Sequence, residues 1–593
     1  MFDMNGNKPI LPDPSGGLGA NNKMYLYLST AEVFGGVVPI NEILQKISKF
    51  RRVEIISALS RINLLLNIFG QDDRKLQHGL VADYFSKVTR DKFDKYISVR
   101  MKEPDSASGY VVFHRRQLLC IMQMAAILCV DDENSVSLDN TGEKERYLFG
   151  EICLEINDHL HLDQEKCPKS LSPAVQHHLI VELLPSLDLD NEPSLMYEVS
   201  RTDLLVHDYY PDKTGIIEKR FIEKYQISLA EFRSFVFAHW GLYREKPKRG
   251  EAYHFSLSTK ILFKNSPLSK KKQERFWSLI SRDVVRLTSQ TYSDRRSFPE
   301  MAFRTFRQFP ILRKGDSLIP LDANFLLATA ASDLFWTIHR SLSDAEREDF
   351  FSNWGKSFEK YVTDVIKKRP VVKKEIFLSN PIDSSGEEMG DGLLYDGERI
   401  AVLEYKSKVI SLAERYSGAR RELLRAFDNA FLLKNRKLQL VSQIDRLYGK
   451  KGEKFLLDNG IKIENIKRIF PVVVTLDRTS QAFLVPDYLR GRFTEKNKNM
   501  TLPIAPLVVC HISSLEMFEG YTGTKTLLDI IEENSNLPIN SDVTFSRQIE
   551  KYLHECGVHS NNNSLLGQRL TEIGKEIMKK FFPAHKLKED EAS

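Results

Sequence analysis

Asp391, Glu404 and Lys406 fall in one short run, GDGLLYDGERIAVLEYKSK at 390–408. Their types suit one kind of chemistry. Two carboxylates a few ångströms apart can hold a hard cation such as Mg²⁺ or Mn²⁺, which takes oxygen ligands and keeps several waters. An ammonium beside them can orient a water nucleophile or stabilise charge building on a phosphoryl oxygen. A lysine beside them in a strand is otherwise an odd decoration.

Whether the three meet depends on the turn between them. Asp396-Gly397 is a two-residue hairpin signal, because a type I′ turn needs positive φ at both central positions. Such a turn pairs Tyr395 with Glu398, Leu393 with Ile400 and Asp391 with Val402. Side chains alternate along a strand and paired residues share a face. Asp391, Val402, Glu404 and Lys406 are therefore expected on one face, with Asp391 and Glu404 diagonal neighbours roughly 5–8 Å apart at Cβ. A three-residue turn would put Asp391 on the other face.

The flanking elements are legible from periodicity. In WGKSFEKYVTDVIKK, Phe358, Tyr361, Val362, Val365 and Ile366 recur at helical spacing, and Pro370 follows. VVKKEIFLS reads as a strand and NPIDSSGEEMG as a loop. The segment from Ile410 to Gly449 is expected to be mostly helical. Its exposed positions would carry Arg415, Arg420, Arg421, Arg425, Lys434, Arg436 and Lys437. IKRIFPVVVTLD supplies an apolar strand near 468–476, whose unbroken run implies burial on both faces.

This order of helix, strand, strand with Asp, strand with Glu-x-Lys, helix and strand resembles the restriction-endonuclease-like superfamily, the PD-(D/E)xK nucleases. The motif stands here as Gly390-Asp391 and Glu404-Tyr405-Lys406, with Glu359 on the preceding helix in GKSFEKY. The resemblance implies Asp391 and Glu404 as metal ligands, Lys406 as the catalytic lysine and Glu359 as an auxiliary acid at the metal. It also implies an α/β core, a mixed sheet flanked by helices. It covers 354–476, roughly a fifth of the chain. Gly390 replaces the family's proline. Some branches place a Gln and a Tyr in the following helix, but Gln443 and Tyr448 lie too far along to be carried over.

The rest of the 593 residues bounds the setting. That length implies several domains. The division read from the sequence is a disordered tail at 1–22, a helical domain at 23–165 and a mixed, mainly helical region at 166–300. A nuclease domain follows at 301–480, with its hairpin at 305–318, and then a loop-rich and helical region at 481–593. The fold class is thus mixed, mostly α around an α/β core. Two helices split near Phe50-Arg51-Arg52 could be a DNA-reading pair or plain bundle parts. CPKSLSP at 167–173 reads as a linker.

The net charge of +5 neither demands nor excludes nucleic acid. Six scattered cysteines form no C-x-x-C pair, which fits a reducing cytoplasm. No apolar run reaches the ~20 residues of a membrane span. Gly355-Lys356-Ser357 lacks the glycine of a phosphate-binding loop, since position 350 is Phe350, so no nucleotide cofactor is expected.

The functional expectation is a metal-dependent endonuclease acting on DNA, with Arg415, Arg420, Arg421 and Arg425 as backbone contacts. A bacterial anti-phage effector would suit a nuclease core embedded in helical domains. A homo-oligomer or a partner subunit is compatible with cutting two strands. The competing expectation is a catalytically inactive relative that binds nucleic acid or scaffolds a larger complex.

Overall fold

The computed structural model describes residues 25–581 apart from 71, 101–108, 134, 139–141, 161–179, 181–191, 212–214, 246–255, 261–267, 298–302, 370–374, 417–419, 435–436, 483, 498–501, 539–543 and 559–563. The tail at 1–22, the linker near 167–173 and Arg436 lie outside the described residues, as do the side chains of Lys434 and Lys437. The chain is mostly helical, with one five-stranded and one four-stranded mixed sheet. Among the described residues no helix is long and apolar enough to cross a membrane.

The N-terminal half is built on its own core, where Ile56, Leu59, Ile62, Phe113, Leu118, Ile121 and Phe149 pack together. Helices Ile40–Ile47 and Arg52–Phe69 divide near Phe50-Arg51, as the sequence indicates. The second is buried on most sides, Val53, Ile55–Leu59, Ile62 and Leu64–Leu66 included. A helix so enclosed packs as a core element and presents no face to a DNA groove. The apolar run near Leu118 forms the buried helix Arg115–Leu128.

The hairpin near 305–318 forms as expected, with Lys314 paired to Ser317. It belongs elsewhere, however. Ile311–Lys314 and Ser317–Pro320 join Ser281–Asp283 and Leu257–Ser258 in the four-stranded sheet. Phe306, Leu312, Ile319 and Phe325 enter the N-terminal core. Asp322 fastens this junction. It accepts the Phe325 N–H at 2.8 Å as a helix cap, and takes Arg115 at 2.5 and 2.6 Å and Asn63 at 2.8 Å. Ile311, Leu318 and Ala323 enter the other core, which also holds Phe358 and Val362, so this segment contributes to both.

The five-stranded sheet follows a long helix, α1 (Asp344–Lys367), whose start is fixed by Glu346 bonding the Ser343 N–H at 2.9 Å. Its strands are β1 (Ile376–Ser379), β2 (Gly392–Tyr395), β3 (Arg399–Lys406), β4 (Arg468–Thr475) and β5 (Val508–His511). They lie side by side in chain order. The first two pairings are antiparallel and the last two parallel. Seven of the eight β4 residues, all but Arg468, are buried, as expected for a central strand covered on both faces. Because β5 comes from the last part of the chain, this sheet draws on residues beyond 480.

Each face has its own core. Leu394, Leu403, Val472 and Val474 pack against Phe358, Tyr361, Val362 and Val365 of α1. Leu393, Val402 and Val473 pack against Phe427, Leu440, Ile444 and Leu447. The helical segment after β3 is not continuous. It comprises α2 (Leu412–Arg415), α3 (Arg420–Phe427), a π-turn at Asp428–Leu432, a two-strand ribbon (Leu433–Lys434 with Lys437–Leu438) and α4 (Gln439–Leu447). Those breaks fold α4 back over β3.

Candidate active site

The β2–β3 hairpin differs from the type I′ expectation. Gly397 has φ +114° but Asp396 is not in the positive region, so the I′ turn does not form. Tyr395 pairs with Ile400 and Leu393 with Val402, closing a four-residue loop. The Asp396 carboxylate organises it, accepting the Arg399 N–H at 3.0 Å and the Arg399 Nε at 2.8 Å. Glu398 is drawn to the next strand instead, its carbonyl taking the Lys467 N–H at 2.7 Å. The register has moved by two residues. Side chains alternate with period two, so an even shift keeps every residue on its expected face.

The shift also brings Asp391 closer to Glu404 than the diagonal placement. The Asp391 N–H donates to the Leu403 carbonyl at 2.8 Å, and its Oδ2 accepts the Tyr405 N–H at 2.5 Å. The preceding Gly390 has φ +124°, and an added Cβ would lie 3.1 Å from Val402 Cγ1 and 3.2 Å from the Leu403 carbonyl. Proline, locked near φ −65°, cannot take this conformation. The departure from the family's proline is therefore a consequence of the local path. Gly392 is needed for a different reason, since a Cβ there would lie 2.7 Å from the Tyr405 hydroxyl.

Glu404 is 3 % exposed. Its Oε1 lies 3.0 Å from Lys406 Nζ, and its Oε2 accepts Gln443 Nε2 at 2.6 Å. Lys406 Nζ donates in turn to Gln439 Oε1 at 2.9 Å. Gln439 and Gln443 stand four residues apart on α4 and so share a face. They are site residues that the sequence reading did not assign. Gln443 looked too distant because the chain after β3 was read as one helix, whereas the π-turn and the ribbon return it to the site. The legible signal was the Gln-x₃-Gln spacing itself.

Asp391 is half-buried. Burial pushes its carboxyl well above the usual carboxylate range, and the charges of Glu404 and Glu359 push it further. The Tyr405 N–H and Lys406 work in the opposite direction. All four predicted site residues thus act on one electrostatic neighbourhood, although they come from α1, the residue before β2, and β3. Glu359 is exposed on α1.

The sequence-predicted cationic residues separate into two groups. Arg420, Arg421 and Arg425 lie exposed on α3. Arg415 does not: it is 8 % exposed, and its Nη2 lies 3.6 Å from Asp477 Oδ1. The turn of α2 and the carboxylate at the end of β4 draw it inward, so it does not hold the exposed position expected of it.

Among the described residues, no group of three or more His, Cys, Asp or Glu stands together as a metal-binding cluster. Mg²⁺ requires less, since one or two carboxylates and water suffice. Asp391 and Glu404 offer the right hard oxygen donors. Burial and the charges of Glu404 and Glu359 hold the Asp391 carboxyl up, and added positive charge would oppose that shift. The buried Gln443 Oε1 beside Glu404 has no hydrogen-bond partner. The donor chemistry at this end of the sheet therefore fits a divalent cation. In comparison with known proteins, no family description matches the chain and no curated protein matches it.

Proposed function

We propose that the chain is a metal-dependent nuclease of the restriction-endonuclease-like, PD-(D/E)xK kind, hydrolysing phosphodiester bonds in DNA. The observation that carries this reading is the convergence of Asp391, Glu404, Lys406 and Glu359 on one charge neighbourhood, with Asp391 driven above the usual carboxylate range. Groups perturbed in this way by burial and like charge, gathered in one place, mark functional sites.

A bound Mg²⁺ or Mn²⁺ would supply Lewis acidity and lower the pKa of water. Asp391 and Glu404 would hold it, with Glu359 as an outer acid. The remaining work belongs to the chain. Gln439 and Glu404 fix Lys406 Nζ from two sides, so the ammonium is already oriented toward charge developing on a phosphoryl oxygen. The Gln443 amide orients the Glu404 carboxylate. Arg420, Arg421 and Arg425, exposed on α3, provide cations for the nucleic-acid backbone.

The test is cleavage of a panel of double- and single-stranded DNA and RNA by the full chain, with Mg²⁺, Mn²⁺ or EDTA. Asp391→Ala and Lys406→Ala are expected to lower the rate by about 10²–10³-fold or more. Persistent cleavage in both variants would overturn the assignment. A second reading is favoured by one observation: Glu404 is already satisfied by Lys406 and Gln443. An inactive nucleic-acid-binding or scaffold subunit would show that saturation. Metal-independent binding without any cleavage would support it.

A further inference from the structure

The helix Arg52–Phe69 is enclosed in the N-terminal core, but the next two helices in the chain form a pair with one side open. They are Arg74–Tyr84 and Lys87–Arg100, joined only by Phe85 and Ser86. Asp73 caps the first, accepting the Leu76 N–H at 2.7 Å. Phe85 ends it with an extended backbone, φ −131° and ψ 144°. Ser86 opens the second: its Oγ accepts the Thr89 N–H at 3.2 Å and its carbonyl the Arg90 N–H at 3.0 Å. Such a short, sharp turn between two capped helices is the connection of a helix-turn-helix.

The second helix is held by one side. Phe93 is 1 % exposed and meets Phe85 edge-on, with ring centroids 5.1 Å apart. Tyr96 and Ile97 rest partly buried on the same core. The opposite side is open. Val88, Asp91, Lys92, Lys95 and Val99 are all exposed, and their helical spacing places them in one stripe, roughly 16 Å long. Lys87, Asp94 and Ser98 flank it.

Two properties of this side suit a partner of opposite charge. Lys87, Arg90, Lys92 and Lys95 outnumber Asp91 and Asp94, and among the described residues none of the six takes part in an ion pair. Lys92 instead lies over the Phe34 ring, 4.6 Å from its centroid. The preceding helix adds exposed Arg74 and Lys75 at its start, against Asp83 near its end. Cations that no carboxylate engages are available to phosphate. Secondly, Val88 and Val99 stand 68 % and 61 % exposed. A β-branched residue is a poor helix former, and neither valine is placed there by burial.

Each residue type of the stripe has a counterpart on the base edges of the DNA major groove. Lysine suits guanine O6 and N7, a carboxylate suits the cytosine amino group, and an apolar side chain suits the thymine methyl. The groove is about 12 Å wide and admits one helix. We propose that the helix Lys87–Arg100 lies in the major groove of duplex DNA, with Val88, Asp91, Lys95 and Val99 toward base edges and Lys87 and Lys92 toward phosphates. This surface shares no residue with the candidate active site and does not depend on the nuclease reading.

The test is fluorescence anisotropy with the full chain in EDTA, where cleavage does not contribute. The probes are a short mixed-sequence DNA duplex and the RNA duplex and single strand of the same sequence. Co-sedimentation with vesicles containing phosphatidylserine is measured beside them. The DNA duplex is expected to bind tightest, since the major groove of A-form RNA is too deep and narrow for side chains to read. Lys92→Gln combined with Lys95→Gln is expected to weaken duplex binding about tenfold or more and to flatten its dependence on salt, with folding checked by melting. Val88→Ser keeps every charge and is expected to weaken binding less, with the salt dependence unchanged. No binding of the DNA duplex, or unchanged affinity in the folded double-lysine variant, overturns the proposal. So does equal or tighter binding of the RNA duplex or the single strand, or capture on vesicles alone. A chain that binds the duplex through these lysines but cleaves nothing would leave the proposal standing and remove the nuclease reading instead.

Discussion

Helix α1 contributes to two charged clusters through residues two positions apart. Tyr361 serves the first, in which Arg201 meets both oxygens of Glu516 at 2.6 Å and the Tyr361 hydroxyl donates to Glu516 Oε1 at 2.6 Å. One cation answers one anion, and both side chains are almost fully buried, at 4 % and 0 % exposure. Burial works against charging Arg201, but Glu516 more than offsets it and raises the guanidinium above its ordinary affinity. Glu359 serves the second, in which burial and the charges of Glu404 and Glu359 push the Asp391 carboxyl up, against the Tyr405 N–H and Lys406. The difference separates an ion pair that satisfies itself from a carboxyl that burial and like charge hold above its ordinary range.

That contrast can be broken in three ways, beginning with the largest effect. Arg201→Met removes the only cation bonded to the buried Glu516 carboxylate in the bonds described above. Leaving one buried charge unpaired costs about 3–5 kcal/mol, read as a loss of unfolding free energy in urea. A loss under about 1 kcal/mol would show that the pair is not the structural element described.

Gln443→Leu acts at the candidate site. It takes the donor from Glu404 Oε2, and a hydrogen bond to a charged group contributes about 1.5–3 kcal/mol. Cleavage is expected to fall about tenfold, largely in kcat, with a smaller change in KM. Wild-type kcat in this variant would remove Gln443 from the site.

The third effect concerns pH and is given as a direction. Burial, Glu404 and Glu359 raise the Asp391 carboxyl in the folded chain. A group with a raised folded pKa contributes stability that is full below the unfolded carboxylate range and is lost as pH rises through the folded value. At neutral pH and in EDTA, Asp391→Asn should therefore melt above the wild type, and the gap should close in acid. Mg²⁺ should raise the wild-type melting temperature and leave the variant unmoved. A variant that is less stable at neutral pH, or that shifts equally with Mg²⁺, would remove the raised carboxyl on which the comparison rests.

Much of the element order was legible because it depends on local pattern. The helix through Phe358–Ile366, the strand 468–476 and the hairpin at Lys314–Ser317 follow from periodicity and turn residues, and they form where the pattern puts them. The C-terminal region, expected to be loop-rich and helical, carries the helices Leu527–Ser535, Phe545–Glu555 and Ser564–Phe581. The register of the β2–β3 hairpin was not legible, because the Asp396 side chain joins the backbone in closing its loop. The Asp396 carboxylate bonds Arg399, and Arg399 reaches on to Asp529 at 2.7 Å and Glu532 at 2.6 Å from a distant helix. The affiliation of β5 and of the 311–320 hairpin was likewise hidden, since sheet membership is a long-range pairing.

By itself, the sequence determined that Asp391, Glu404 and Lys406 share a face. Parity along a strand survives any even change of register, so the trio withstood a wrong turn type. Tertiary structure decided what surrounds them. It folded α4 back so that Gln439 and Gln443 engage Lys406 and Glu404. It turned Arg415 inward to Asp477, and it supplied a fifth strand from the end of the chain. Those outcomes depend on which distant surfaces bury one another, and periodicity along a chain does not encode that.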